Sequence, residues 1–378
     1  MNTVKDEEPI AAPNLKLRGV SKSFDGERVL DGLDLSVSEG EYVVVLGPSG
    51  CGKSTLLQII AGLVPLDAGT VELASQSLRR VAPKDRDVAF LFQDDRLYPH
   101  WTLRQNLRIA MDRSPVKSSG DDVMSEMSRR LGIDGLLERR PDEVSGGQLR
   151  RAALVKALLR QPAVCLLDEP LTAIDMMLRE DLIALLADYP RDRGSSLSQT
   201  SILHVTHDGA EAMRLADRIV VLGSGRVLQS GTPESIYRSP CSLEVAKAIG
   251  TPPANLIPLK WLRSVFASSY ESILQSLPGC DETSVLVLRP ESVEIADQSV
   301  GNDQSAVVSE DAWNVTVSVI SSRFVEGRWL TRLAPVAEPG TVWTFATRHR
   351  PGTIGKSVVA RIPLCDLVAV PGATGCTA

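Results

Sequence analysis

The run GPSGCGKST at 47 to 55 places three glycines, a lysine and a hydroxyl pair at a spacing suited to binding phosphate. Gly47, Gly50 and Gly52 let the backbone curl so that successive N–H groups point inward, and Lys53 offers a point charge to terminal phosphates. Ser54, at the start of a helix, can place its hydroxyl on a magnesium ion. Farther along, Asp168 and Glu169 close the apolar run AVCLL at 163 to 167. Neighbouring side chains of a strand face opposite ways, so one carboxylate can hold magnesium while the other faces an attacking water. That division of labour suits metal-assisted hydrolysis of a phosphoanhydride. A chance glycine turn and two helix-capping carboxylates are the plain structural alternatives, and the presence of both features in one chain weighs against each. A second anion-seeking element stands at 144 to 154, VSGGQLRRAAL, where Ser145 can cap a helix whose first N–H groups belong to Gly146 and Gly147. A helix terminus adds only about 0.3–1 kcal/mol to an exposed anion, too little to hold a nucleotide alone.

These residues need strands and helices to position them. NLKLRGV, RVLDGLDLSV and EYVVVLG alternate as strands do, with turn signals at Asp25-Gly26 and Glu39-Gly40, and the last feeds the glycine loop. STLLQIIAGL then runs with helical apolar spacing to Gly62, with Pro65 just beyond. Residues 103 to 140 read as mostly helical, interrupted at SPVKSSGDD, and the VSGGQ helix ends before Pro162. AVCLL suits a buried parallel strand, SILHVTH at 201 to 207 and RIVVLGSGRVLQSG at 218 to 231 supply more, and GAEAMRLAD lies between them as a helix. Alternating strands and helices predict an α/β core. After about Gly250 the texture changes. TPPANLIP reads as a proline-rich hinge, and SVLVLRP, WNVTVSVI, RWLTRLAPV and TVWTFAT predict a small all-β second domain, with an exposed loop at 299 to 311.

At 378 residues the chain is long enough for two or three domains. Hydrophobic residues make up 43%, yet no run approaches the roughly 18 to 20 consecutive apolar residues of a membrane span. The acidic start, MNTVKDEEPIAAPN, lacks the basic and apolar regions of an export signal and is expected to be a disordered leader, residues 1–13, on a cytoplasmic protein. The six cysteines (51, 165, 241, 280, 365 and 376) show no metal or redox spacing and are expected as free thiols. A net charge of −6 gives no reason to expect a nucleic acid partner.

A phosphate loop alone serves GTPases, nucleotide kinases, helicases and transport ATPases. No Asn-Lys-x-Asp element for guanine and no arginine-rich lid is present. The remaining motifs discriminate: Gln93 in VAFLFQ, VSGGQ at 144 to 148, CLLDEP at 165 to 170, Asp175 in TAID and His207 in HVTHD follow the loop in a set order. In these the chain resembles the ATP-binding subunit of an ABC transporter over essentially its whole length. The resemblance implies a P-loop NTPase of ABC type, with an antiparallel β subdomain and a helical subdomain at about 94–160 inside a nucleotide-binding domain at 14–250. A small OB-like β domain follows at 251–378. ATP would lie on Gly47, Pro48, Ser49, Gly50, Cys51, Gly52, Lys53, Ser54 and Thr55, with Phe24 stacked on adenine. Magnesium would meet Ser54, Gln93 and Asp168. Glu169 would act as general base, His207 would contact the γ-phosphate, and Gln93 would tie ATP to DDRLYPHWT, which in the family faces membrane subunits.

The resemblance also accounts for the second anion site. In this family two nucleotide domains meet head to tail, so Ser145, Gly146, Gly147 and Gln148 would cover the partner's ATP, with Asp175 at the seam. Val144, the TAID tetrad at 172 to 175 and the charged Asp94-Asp95-Arg96 depart from the commoner text without removing a reacting group. EAMRLADRIVVL, GRVLQSGTPESIYRSP, TPPANL and the phrase centred on Arg289-Pro290-Glu291 are similar to the importer branch that carries a C-terminal regulatory domain. The implied assembly is a homodimer with ATP at its interface, peripheral on the cytoplasmic face of the inner membrane, beneath two permease subunits supplied by a solute-binding protein. Carbohydrate and glycerol-phosphate are the first solutes implied, with ferric iron and polyamine as alternatives. A soluble ABC ATPase acting as an interaction switch is the rival from another class.

Overall fold

The computed structural model describes residues 13–92, 97–112, 120–172, 174, 176–189, 200–277, 279–296, 307–309, 311–325 and 327–372. The chain divides into two compact units, Met1–Pro233 and Glu234–Ala378.

The first unit holds two sheets. β1 (Pro13–Phe24), β2 (Glu27–Ser38), β4 (Ala68–Leu73) and β5 (Gln76–Ser77) form an antiparallel sheet in the order β2-β1-β4-β5. In β2 the alternation of side chains buries Leu33, Leu35 and Val37 while the residues between them face outward. The second sheet comprises β3 (Tyr42–Leu46), β6 (Val88–Leu91), β7 (Val164–Asp168), β8 (Ser201–Thr206), β9 (Arg218–Gly223) and β10 (Arg226–Gly231), ordered β10-β9-β3-β8-β7-β6. Its strands run parallel except β10, which returns antiparallel along β9. Every residue of β3, β7 and β8 is buried, as expected of central strands covered on both faces. Because β3, β8 and β7 are parallel neighbours, their C-terminal ends share one edge of the sheet, where open α/β sheets place ligands. The helices are α1 (Lys53–Ala61), α2 (Leu103–Met111), α3 (Gly120–Arg130), α4 (Gly146–Leu159), α5 (Met176–Asp188) and α6 (Gly209–Leu215). Arg86 locks the end of α1: its buried guanidinium donates to the carbonyls of Ile59 (2.9 Å), Ile60 (2.6 Å) and Leu78 (3.0 Å).

The second unit opens with α7 (Pro233–Arg238) and α8 (Leu243–Ala248), so packing draws its limit earlier than the change of texture at about Gly250. Ala246 of α8 joins Val285, Val287 and Val370 in one buried cluster. The β-rich body contains β11 (Asn255–Pro258), β12 (Val285–Leu288), β13 (Glu294–Ala296), β14 (Val307–Val308), β15 (Ala312–Val325), β16 (Arg328–Pro335), β17 (Trp343–Thr347), β18 (Ser357–Pro363) and β19 (Val368–Val370). It also carries α9 (Leu259–Val265) and α10 (Ala267–Ser276), two short helices beyond the β runs expected there. Edge-to-face rings fill its core, with Trp313 5.7 Å from Phe266 and 5.9 Å from Trp343. Arg289 of the RPE phrase ties this unit together from within. Its buried guanidinium donates to the Ala246 (3.2 Å), Ile249 (2.8 Å) and Tyr237 (2.8 Å) carbonyls and stacks 4.0 Å from the Tyr237 ring.

Candidate active site

The glycine loop leaves the end of β3 and enters α1 through two left-handed glycines, Gly50 (φ 82°) and Gly52 (φ 103°). A Cβ on Gly52 would lie 2.7 Å from Leu30 Cδ2 and 2.8 Å from the Val29 carbonyl oxygen, so only glycine fits. Gly47 is equally constrained, since a Cβ there would meet the Leu222 carbonyl oxygen at 2.4 Å. Lys53 folds over the loop, its Nζ donating to the carbonyls of Gly47 (2.8 Å) and Pro48 (2.9 Å). These are replaceable partners for an ammonium group that has three donors and a flexible stem. Burial pushes the Cys51 thiol up, opposed in part by the Lys53 ammonium.

Across the shared edge, Ser54 Oγ donates to Asp168 Oδ1 at 3.2 Å. Burial raises the Asp168 carboxyl above its ordinary value, opposed by the Ser54 hydrogen bond. Next to it Glu169 adopts φ 48°, a left-handed conformation uncommon outside glycine, while its N–H donates to the Val205 carbonyl at 3.0 Å. The Glu169 carboxylate accepts from His207 Nδ1 at 2.9 Å and from Thr172 Oγ1 at 3.2 Å. An ionised Glu169 requires Nδ1 as the donor in this bond, which leaves Nε2 of a half-exposed imidazole for another contact. The loop, Asp168, Glu169 and His207 are thus gathered on one edge by the parallel order β3-β8-β7.

Two further expected elements lie elsewhere in the unit. Phe24 ends β1 with 42% of its surface exposed and the Lys22 ammonium 5.2 Å from its ring centroid. Ser145 caps α4: its Oγ accepts from Gln148 N at 3.3 Å, and Gln148 Oε1 accepts from Ser145 N at 2.9 Å. Ser145 and Gly146 are exposed. Gln93 and Asp175 lie outside the described residues, as do Asp94, Asp95 and Arg96. The described part of the following segment contributes Tyr98, stacked on Trp101 at 4.8 Å and covered by the Lys156 ammonium at 4.6 Å. Tyr98 and Lys156 line a cavity of about 210 Å³ together with Phe90, Phe92, Ile109 and Arg160.

Several residues that support the site are assigned no role from the sequence. Arg150 of α4 is 5% exposed and donates to the main-chain carbonyls of Asp168 (3.0 Å), Glu169 and Pro170 (3.3 Å). A basic residue on a helix is no signal for carbonyl acceptors distant in sequence, so its partners emerge only from the fold. Behind His207, Arg179 of α5 bridges Asp208 Oδ2 (2.5 Å) and Glu211 Oε1 (2.7 Å), and Glu211 Oε2 accepts from Thr206 Oγ1 at 2.7 Å. Asp208 caps α6 by accepting from Ala210 N and Glu211 N, a role that its place just before a helix announces. Fully buried His204 shares a hydrogen bond of 3.1 Å with the Tyr42 hydroxyl, and burial lowers its pKa to about 3, so it is neutral.

Comparison with known proteins shows the family. Residues 30–172 match the ABC transporter family. The chain is 41% identical over 295 residues to the sn-glycerol-3-phosphate import ATP-binding protein UgpC 3 of Rhizobium johnstonii, covering 77% of this chain and 82% of that one. It is 36% identical over 360 residues to UgpC of Salmonella typhimurium, covering 89% and 96%. The sulfoquinovosyl glycerol transport ATP-binding protein SmoE of Agrobacterium fabrum is 41% identical over 243 residues, 64% of this chain and 66% of its own. Among solved structures, the dimeric post-hydrolysis state of the ATP-binding cassette MJ0796 bound to ADP and Pi superposes with a TM-score of 0.52 and 26% identity, covering 58% of this chain and 98% of that one. The chain binds and hydrolyses ATP, and it belongs to the ATP-binding subunits of ABC importers.

Proposed function

We infer that this chain drives uptake of sn-glycerol 3-phosphate or a closely related glycerol-bearing solute. It does so as a homodimer that closes on two ATP molecules beneath two permease subunits served by a solute-binding protein. The observation that carries the catalytic part is the meeting of the Ser54–Asp168 pair with the Glu169–His207 pair at one sheet edge. Glu169 polarises the attacking water, and His207, oriented by its bond to Glu169, contacts the γ-phosphate through Nε2. Lys53 exchanges its loop carbonyls for phosphate oxygens, and Phe24 offers its exposed ring to adenine.

The magnesium reading has chemical support. A hydroxyl and a desolvated carboxylate are hard oxygen ligands, and a carboxylate raised by burial gains from a cation beside it. Among the described residues no group of three or more His, Cys, Asp or Glu could hold a metal ion. Bound there through Ser54 and Asp168, with Gln93 as the third expected partner, magnesium would neutralise charge on the phosphates.

The solute assignment rests on the relatives. Two are named for sn-glycerol 3-phosphate and one for sulfoquinovosyl glycerol, so a glycerol unit is the shared chemistry. No helix among the described residues is long and apolar enough to cross a membrane, and peripheral attachment at the cytoplasmic face is the proposed location. The Tyr98 and Lys156 cavity is the proposed permease contact. The test is to capture the chain from gently solubilised membranes, reconstitute what accompanies it, and measure ATP hydrolysis with a panel of solutes. Two polytopic proteins, a binding protein and stimulation by sn-glycerol 3-phosphate are expected. Stimulation by ferric iron or a polyamine alone would move the solute assignment, and recovery of soluble proteins alone would remove the importer assembly.

A further inference from the structure

We propose that Arg150 is a positioning residue for hydrolysis, a joint that fixes the Glu169 turn to the helix α4 whose start is offered to the partner's nucleotide. The inference rests on the reading of Glu169 as the general base. Three consecutive carbonyls, those of Asp168, Glu169 and Pro170, accept from this one guanidinium. In a continuing strand successive carbonyls point to opposite sides, so their convergence marks the place where the chain leaves β7. Like dipoles pointed at one spot repel unless a cation stands there, and Arg150 is 5% exposed, so little water can replace it.

The turn that this clamp closes is the one that aims the carboxylate. Glu169 sits at φ 48°, its carbonyl also accepts from Thr172 N at 3.2 Å, and its side chain meets His207 at 2.9 Å and Thr172 Oγ1 at 3.2 Å. Without the guanidinium the turn can relax toward extended backbone, and the carboxylate leaves the position from which it meets His207. Arginine suits this role because its planar fork presents five donors at fixed angles, whereas a lysine ammonium concentrates three on one atom. Arg150 lies in the second turn of α4, and Ser145 caps the same helix. The buried Arg150 side chain therefore links the helix that Ser145 caps to the Glu169 backbone. Its bonds to the three carbonyls involve no residue of the phosphate loop and not Phe24.

The experiment compares Arg150→Met, Arg150→Lys and Glu169→Gln in the full chain, measuring steady-state hydrolysis, affinity for a fluorescent ATP analogue and thermal unfolding. A misplacement near 1 Å costs about 100-fold in rate, so Arg150→Met should lower kcat by about that factor while KM and nucleotide affinity stay within about twofold. Arg150→Lys should regain about tenfold of the loss, because a cation returns without the fork. If Glu169→Gln is inactive while Arg150→Met keeps the parent kcat, the joint is overturned and the base reading stands. If Glu169→Gln keeps turnover, the base reading falls first. Loss of kcat and nucleotide affinity together in both Arg150 variants would assign Arg150 a merely structural role and overturn the proposal. Should Arg150→Met fail to fold, Arg150→Gln paired with Arg150→Lys decides: an unchanged kcat in both overturns the joint, and a lowered kcat at constant KM sustains it.

Discussion

At the scale of single residues, the site keeps a charge where the fold alone would not. Burial raises the Asp168 carboxyl above its ordinary value, so the folded chain holds that proton to a higher pH than the unfolded chain does. With more protons bound in the folded state, stability falls as pH climbs from the unfolded value to the raised one. Above that window the ionised carboxylate is a standing cost. Asp168→Asn removes the charge and still leaves an oxygen to accept from Ser54. At neutral pH the nucleotide-free variant should be more stable by about 1 kcal/mol, a rise of about 2–4 °C in melting temperature, with the gap closing as pH is lowered through the window. Magnesium-dependent tightening of ATP binding should vanish in the same variant. A lowered melting temperature at neutral pH would show that the charged Ser54 bond outweighs burial. The site would then exact no stability for function.

At the scale of elements, the two kinds of glycine in the phosphate loop separate packing from ligand approach. A Cβ on Gly47 or Gly52 would strike the Leu222 or Val29 carbonyl, whereas one on Gly50 meets nothing within 4 Å and suffers only its φ of 82°. Gly47→Ala and Gly52→Ala should destabilise the nucleotide-free chain by about 1–3 kcal/mol through overpacking, and by more at Gly52, where left-handed strain adds. Gly50→Ala should cost only the strain, about 1–2 kcal/mol. Its ATP affinity should fall more than its stability explains. Thermal unfolding and nucleotide titration of the three variants give the order, and a Gly50→Ala chain less stable than Gly52→Ala would contradict it. This loop was legible in the text because its glycines, Lys53 and Ser54 act through local spacing, and so was β7, whose apolar run stops at Asp168. The order β3-β8-β7 was not legible, since strand adjacency is decided by packing between segments far apart in sequence. Nor was the part played by Arg150, whose acceptors are main-chain carbonyls that any residue could supply. The helices Leu259–Val265 and Ala267–Ser276 escaped for another reason: each is short, and serines dilute the apolar period of the second.

At the scale of the whole molecule, the proposed homodimer would give the exposed start of α4 its anion in the second copy. An exposed helix terminus contributes about 0.3–1 kcal/mol to an anion, a factor of about two to five in affinity, so it cannot recruit ATP by itself. Laid against phosphates already held by another chain's loop, as proposed, it would contribute at both sites of a symmetric pair, and ATP would be the adhesive of the dimer. Ser145→Arg tests this because it fills the exposed cap position with a long side chain while leaving Gly47–Thr55, Asp168 and Glu169 untouched. Loss of the cap hydrogen bond costs about 1 kcal/mol of local stability, too little to unfold the unit. The variant should bind ATP as a monomer within about twofold of the parent affinity and lose hydrolysis by more than about 100-fold. In light scattering at saturating ATP, Glu169→Gln should be a dimer and the double variant with Ser145→Arg a monomer. Ser145→Ala keeps the N–H groups of Gly146 and Gly147 and loses only the cap, so it should fall between the two. If the double variant still dimerises with ATP, the exposed start of α4 does not lie against the partner's nucleotide. The second anion site would then have to act within its own chain.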